Sequence, residues 1–478
     1  MLKFFLDKYV HYAVLTYLLA WLCCLVLFFD FWPEWFVWIH GFVGVLMFFY
    51  GSAYCIRNWC RGSSELFCKR VFWTAFLIRV CYVLLLYVFY NEYVGVPFEI
   101  DKRADSYGYY RVSSFLLRSS IGEIAQQTMD MLGVGFSDTG FVFYLVVINK
   151  IVGYSTILMP RILNAVWGAL ICIFIYQIGR RHFGEIVGRV SAILSMFLFN
   201  LIYYCGIHRK EILMLFLLMF FLDRVDKILS QDRISVVQWG VVGLLILVMF
   251  TFRTVLGVCA IMALFVTLIM SRQVKGKMMS WAKRLVIIFM ALLFIGFSIS
   301  DSIINEINEV SERGTLANQK ANMEWRSKRK DRGEKTSNEF IKYTGAVVFA
   351  PMIFTIPFPS VAYTEKQEDI RLMNGGNYVK NILSFFVILT MFAMLMSGEW
   401  RNHVLLISFY LGYLCVLVFS NFAHSERFHF LILPLMLLFA SKGIVDLKYK
   451  SFSLWWLVLM FVAFVAWNWF KLAGRGLV

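Results

Sequence analysis

Apolar runs long enough to cross a bilayer recur along most of this chain, and that recurrence leaves few folds open to it. Crossing about 30 Å of hydrocarbon takes roughly 18 residues or more at helical rise. Runs near that length cover residues 10–31, 35–56, 71–90, 159–179, 186–206, 212–229, 236–252, 254–270, 285–300, 379–397, 404–422, 428–444 and 454–470. With no water to bond the backbone, each run must satisfy itself as a helix unless the chain closes into a barrel. The pattern predicts an all-α fold: a polytopic transmembrane helical bundle of about thirteen spans, within a range of about eleven to fourteen. Composition agrees, because 60% hydrophobic residues, with 48 Phe and 15 Trp among 478 positions, leave too little polar surface for a soluble globule.

Lys and Arg in short loops favour the cytoplasmic side and orient the bundle. Lys3 and Lys8 open the chain, and Arg57, Arg61, Lys69 and Arg70 follow the second run. Arg180, Arg181 and Arg189, then Arg272, Lys275, Lys277, Lys283 and Arg284, then Arg401, Lys442, Lys448 and Lys450 continue the series. With the N-terminus inside, these clusters share one side. Glu99–Asp105, His208–Glu211, Arg253, the stretch 301–378 and His424–Arg427 then lie outside. An odd number of spans leaves the C-terminus outside as well.

The net charge of +16 is accounted for by this loop asymmetry and by anionic lipid headgroups, and no nucleic-acid module is visible. The first run is too long for a signal peptide and lacks a small-residue cleavage site, so it reads as a retained helix. Cys23, Cys24, Cys81, Cys172, Cys205, Cys259 and Cys415 sit inside apolar runs, where a thiol is a small hydrophobe. No disulfide framework and no Cys-x-x-Cys metal site is expected.

Four regions follow from the spacing. Residues 1–70 hold two N-terminal spans, and 71–300 form a transmembrane core with an acidic outer loop at 91–137. Residues 301–378 make a long extracytoplasmic loop with a re-entrant or surface-lying segment at 344–359, and 379–478 carry the C-terminal spans. Long loops in a compact protein are functional suspects. Within 107–127, Tyr110, Ser114, Leu117 and Ile121 recur at helical spacing with Arg111, Arg118 and Glu123 between them, which predicts one interfacial amphipathic helix. Residues 141–152 read as another, lying along the outer surface.

Ionisable groups at the edge of hydrocarbon are costly unless they pair or line a wet cavity, so their positions point to chemistry. The acidic segment offers Glu99, Asp101 and Asp105. A carboxylate there can take a proton from an acceptor hydroxyl or hold a divalent cation. His208, Arg209, Lys210 and Glu211 follow one another between two apolar runs. Arg209 and Lys210 suit a phosphate, and Glu211 pairs with them or completes a metal site. Arg253 offers a guanidinium fork to phosphate oxygens. His424, Glu426, Arg427 and His429 crowd the outer end of a later run, without the spacing that argues for zinc. Each of these sets also has a plainer reading as snorkelling or solvated charge. Arg79 falls inside a span and must face the bundle interior or a water-filled cleft, and the basic run 326–335 reads first as a solvated face.

The order of these features resembles the GT-C superfamily of integral-membrane glycosyltransferases that use polyprenyl-phosphate-linked donors. It rests on Asp105-Ser-Tyr in the outer loop, Gly153-Tyr-Ser with Pro160-Arg161-Ile-Leu-Asn164, Ile178-Gly-Arg-Arg-His-Phe-Gly184 at an inner turn, Arg209-Lys-Glu211, and Glu426-Arg427-Phe with Leu433-Pro434. The stretch covered runs roughly from residue 71 to 444. Two spans precede the acidic loop where the family usually has one, and the adjacent acidic pair often found there is replaced by dispersed carboxylates.

The resemblance implies an outer-face cavity where a polyprenyl-phosphate-linked sugar donor meets a glycan or lipid-linked acceptor, among membrane lipids and with no nucleic acid. It matches Asp105 and Glu211 to the family's acidic positions as catalytic groups, with a divalent cation, Mg or Mn, as one use for the pair. Arg209, Lys210, Arg253 and Arg427 would hold the phosphate. The expected activity is hexosyl transfer in bacterial surface-polysaccharide assembly, in the cytoplasmic membrane with the site facing outward. Wzy-type polymerases of lipid-linked oligosaccharide repeats share the long outer loop and arginine-rich site, and a lipid-linked glycan flippase is the alternative from another class.

Overall fold

Within the described residues, every expected apolar run folds as helix, and no strand occurs there. The computed structural model describes residues 2–31, 33–99, 105–132, 136–230, 235–271, 352–361, 368–419, 425–446 and 450–473. The expected span 285–300, the basic run 326–335, Asp101 and His424 lie outside them.

In chain order the helices are α1 (Leu2–Leu27), α2 (Trp35–Trp59), α3 (Ser64–Val94), α4 (Asp105–Phe115), α5 (Ile124–Leu132), α6 (Thr139–Val152), α7 (Leu158–Phe183) and α8 (Glu185–Phe197). There follow α9 (Phe199–Gly206), α10 (Glu211–Leu229), α11 (Val236–Phe252), α12 (Thr254–Met270), α13 (Arg371–Ser397), α14 (Val404–Phe419), α15 (Glu426–Asp446) and α16 (Lys450–Ala473). Seven of them are long and apolar enough to cross a membrane: α1, α2, α3, α7, α13, α15 and α16. Counting α8 with α9, bent by 47°, and Ile121–Leu132 with Phe136–Val152, bent by 111°, raises the number to nine. The chain is thus a multi-pass helical membrane protein, with seven to nine crossings supported by length and composition among the described residues where thirteen are expected of the whole chain. Hydropathy does not separate a helix buried in protein from one buried in lipid. The 17-residue helices α11 and α12 are apolar but short, and α10 ends in Asp223, Arg224, Asp226 and Lys227.

The single amphipathic helix expected over 107–127 is two. Helix α4 runs out in a 3-10 turn at Leu116–Arg118, and Ser119 and Ser120 are extended before α5 begins. The Ser119 carbonyl accepts from Lys150 Nζ at 2.8 Å, and its hydroxyl donates to Gln127 at 2.8 Å. These bonds satisfy Ser119 outside a helical ladder, where its carbonyl would otherwise need an intrahelical donor.

Burial sorts the long helices into centre and rim. The most apolar window of α15 is 83% buried and that of α13 67%, against 28% for both α3 and α16. Helix α13 crosses α2 at glycine contact, since a Cβ on Gly375 would meet the Gly41 carbonyl oxygen at 2.4 Å. Arg79, inside α3, is fully buried. It donates to the Ala75 carbonyl at 3.1 Å and the Ser195 carbonyl at 3.2 Å, the latter at the C-terminal end of α8 where α8 and α9 break. The guanidinium thereby satisfies a carbonyl that the bend frees, at the negative end of a helix dipole.

Residues 352–361 pass through the protein interior without regular structure after one turn, and residues 344–351 of the expected re-entrant or surface-lying segment lie outside the described residues. Such backbone is tolerated at membrane depth only where protein groups bond it. Asn374 makes two bonds to Ser360, accepting from its N–H and donating to its carbonyl, each 3.1 Å. Asn468 accepts from Val361 N–H at 2.7 Å and donates to the Pro359 carbonyl at 3.2 Å. Lys380 donates to the Ile356 carbonyl and Asn381 to that of Thr355.

Charge collects at two ends. At one, Arg181 pairs with Asp223 at 2.9 Å and Asp226 at 2.5 Å, and His182 pairs with Asp226 at 2.9 Å while its Nδ1 meets His403 Nδ1 at 2.9 Å. The opposite ends of α7 and α10 lead to the other cluster.

Candidate functional site

Five helices begin within one small region. Asp105 and Glu211 are the first residues of α4 and α10, Asp138 and Arg253 directly precede α6 and α12, and Arg427 is the second residue of α15. Helix N-termini present unpaired N–H groups and the positive end of the dipole, which favours carboxylates and anionic ligands there.

Arg427 ties the region together, donating through Nε to Glu211 and through Nη1 to Asp105. Glu211 is 1% exposed and Asp105 45% exposed, so one carboxylate is enclosed and the other reaches outward. Glu211 keeps Oε2 without a hydrogen bond. Burial raises the Asp105 pKa, but Arg427, then Arg209 and Lys210, outweigh it and hold the carboxyl below its usual range. Lys210 pairs with Asp138 and donates to the Phe252 carbonyl at 2.9 Å. Arg253 sits over the Phe428 ring at 4.6 Å, pairs with no carboxylate among the described residues, and leaves Nη1 without a partner.

Arg209 forms an ion pair with Glu99 at 2.7 Å, and Glu99 also accepts from the Ser106 hydroxyl at 2.6 Å. The structure therefore gathers Asp105, Glu211, Arg427, Arg253, Lys210, Arg209 and Glu99, which come from four separate stretches of sequence. Other candidates lie to the side. Arg161 is fully buried and donates to the Pro97 carbonyl at 2.5 Å. His208 sits among Phe98, Tyr110 and Phe141 at ring distances of 6.4, 6.3 and 6.2 Å. Burial, and then Arg161, push its pKa down to about 3, so the imidazole is neutral.

Glu426 turns away from its neighbour Arg427 and accepts from Asn377 on α13, whose side chain also accepts from Asn200 at 3.3 Å. Asp138 was missed from sequence; its only signal is an acid immediately before an apolar helix.

A cation fits this site poorly. Among the described residues no three His, Cys, Asp or Glu side chains gather as a metal set, and the guanidinium of Arg427 stands between the two carboxylates expected to share a metal. What the arrangement offers is a set of anion-binding groups with carboxylates poised beside them. No family model matches the chain, and no curated protein matches it.

Proposed function

We propose that the protein is a membrane glycosyltransferase that moves a sugar from a polyprenyl-phosphate donor to a glycan or lipid-linked acceptor, at the outer face of a bacterial cytoplasmic membrane. The observation that supports this most is the meeting of Asp105, Glu211, Arg427 and Arg253, which makes no ion pair among the described residues, at five helix N-termini. Such a site suits a reaction in which negative charge develops on a leaving phosphate beside a carboxylate that accepts a proton.

In the proposed reaction the acceptor hydroxyl oxygen bonds to the anomeric carbon from the face opposite the phosphate. The anomeric carbon–oxygen bond to phosphate breaks, its electron pair leaving with the polyprenyl phosphate, and the configuration inverts. Asp105 takes the hydroxyl proton, with Glu211 as the enclosed partner carboxylate. Arg253 and Arg427 meet the charge on the leaving group, supported by Arg209 and Lys210. When Arg427 moves toward the phosphate it loosens its hold on Asp105, which raises that carboxylate's basicity as the proton arrives. No step runs through a metal.

The test is transfer from a labelled polyprenyl-phosphate sugar to a panel of lipid-linked acceptors by purified protein in bilayers. Wild type is expected to transfer and Asp105→Ala to lose about 10²-fold or more. Absence of transfer by wild type to every acceptor, or equal transfer by the variant, overturns the proposal. Products that lengthen by whole repeats would identify the polymerase form of the same chemistry.

A further inference from the structure

Beside the charged cluster, four buried residues carry hydrogen-bonding atoms that meet no partner among the described residues. Arg161 leaves Nε and Nη1 free, Asn164 leaves Oδ1, His208 leaves both ring nitrogens, and Glu99 leaves Oε2. All four residues are at most 1% exposed. Buried polar groups without partners are rare because each gives up its bonds to water and receives nothing back. They are also neighbours: the Arg161 guanidinium stands 5.9 Å from the centre of the Phe98 ring, and the His208 ring lies 6.4 Å from the same ring. Glu99 follows Phe98, and Asn164 lies one turn after Arg161 on α7.

The chemistry of the unmet atoms selects a ligand. A phosphate needs donors only, whereas here Arg161 donates, Asn164 and Glu99 accept, and a neutral imidazole does both. Hydroxyl groups are the common ligand that both gives and takes hydrogen bonds. The rings of Phe98 and Tyr110 add apolar faces of the kind that accompany a few fixed polar groups in small-molecule sites. The Glu99–Arg209 ion pair joins this set to the charged cluster.

We infer that Arg161, Asn164, His208 and Glu99 form a carbohydrate subsite, which takes the sugar ring of the lipid-linked donor while its phosphate lies against Arg253 and Arg427. This rests on the transferase reading. The subsite determines which sugar is accepted, and the charged cluster recognises the phosphate of any such lipid.

Two probes separate the two roles: polyprenyl phosphate without sugar, and a panel of polyprenyl-phosphate hexoses bearing glucose, galactose, mannose or N-acetylglucosamine. Their dissociation constants are measured on the full chain in bilayers. Wild type is expected to bind at least one hexose lipid about tenfold or more tighter than the bare lipid. His208→Phe keeps the ring among its aromatic neighbours but removes both nitrogens, and Asn164→Leu removes the amide. In each, the preference for the sugar-bearing lipid should fall to about one, with melting no lower than wild type for His208→Phe. Arg253→Gln should weaken both lipids together.

If no hexose lipid binds better than the bare lipid, or if His208→Phe and Asn164→Leu keep the preference, the unmet groups hold ordered water only and the inference is lost while the phosphate site stands. If wild type binds neither lipid, the transferase reading falls and takes the subsite with it.

Discussion

Arg427 holds Glu211 across 216 residues of sequence, and the same guanidinium holds Asp105 across 322. One cation therefore fixes the distance between two carboxylates, one enclosed and one open. Removing a single partner from such a buried pair leaves an uncompensated charge. Arg427→Met should cost about 3–5 kcal/mol, and adding Glu211→Gln should restore most of it. Asp105→Asn alone should cost under about 1 kcal/mol, because that carboxylate is half exposed. Thermal unfolding in detergent measures all three, and an Arg427→Met protein as stable as wild type would deny the pair a structural role.

Arg253 combines an unpartnered Nη1 with no ion pair among the described residues, so its loss should register in function before stability. Arg253→Gln is expected to lower kcat/KM for transfer by about 10²–10³-fold, as for removal of one donor to a developing oxyanion. Melting should stay near wild type. Because the carboxylates are spanned by an arginine, a chelator should leave the wild-type rate intact; abolition by chelator and rescue by Mg or Mn would reverse that assignment.

The segment 352–361 depends on side-chain amides for its backbone bonds. Asn374→Ala removes two bonds to Ser360 and Asn468→Ala two to Pro359 and Val361. Each substitution should cost about 1–3 kcal/mol, the penalty for stranding buried backbone groups. Hydrogen exchange is the sensitive readout: the N–H groups of Ser360 and Val361 should exchange faster in the corresponding variants, and unchanged protection would mean the amides are dispensable.

Gly168 lies where Arg79 passes, and a Cβ there would meet Arg79 Nε at 2.6 Å and Cys205 Sγ at 2.9 Å. Gly168→Ala should destabilise by about 1–3 kcal/mol through overpacking. In an Arg79→Met background the further cost of the alanine should shrink, which a double-mutant cycle on melting data would reveal.

His403 makes the opposite end pH-sensitive. Burial, followed by His182 and Lys442, pushes its pKa down from 6.5 to about 3. The unfolded chain takes up this proton near its ordinary pKa and the folded chain only near the lowered one. Stability is therefore full above about pH 6.5 and falls as pH drops toward about 3. His403→Phe should flatten that acid limb in melting curves taken between about pH 6.5 and 4; an unchanged slope would place the titration elsewhere.

Asp105, Glu211 and Arg427 are visible in the sequence as charges near apolar runs, and the charge rule alone groups them on one side. Asp138 stayed hidden because a lone acid before a helix looks like an ordinary cap. Asn374, Asn377, Lys380 and Asn381 stayed hidden for a different reason. The polarity of Asn374 and Asn377 lowers local hydropathy, so the expected span begins at residue 379 with Lys380 and Asn381 just inside it, whereas α13 begins at Arg371 and all four are buried and bonded. The break at Ser119–Ser120 is not legible in the sequence because its bonds reach to Gln127 and Lys150, beyond the range of a helical pattern.

Sequence alone determined that this is a helical membrane protein with its charge gathered at helix ends, because hydropathy and the demand for backbone bonding act over one helix at a time. Only the tertiary structure decided which helices lie deep, which carbonyl Arg79 satisfies, and which two carboxylates share Arg427. Those outcomes depend on side chains meeting across hundreds of residues, and the energy of a buried charge is settled by the partner it finds there.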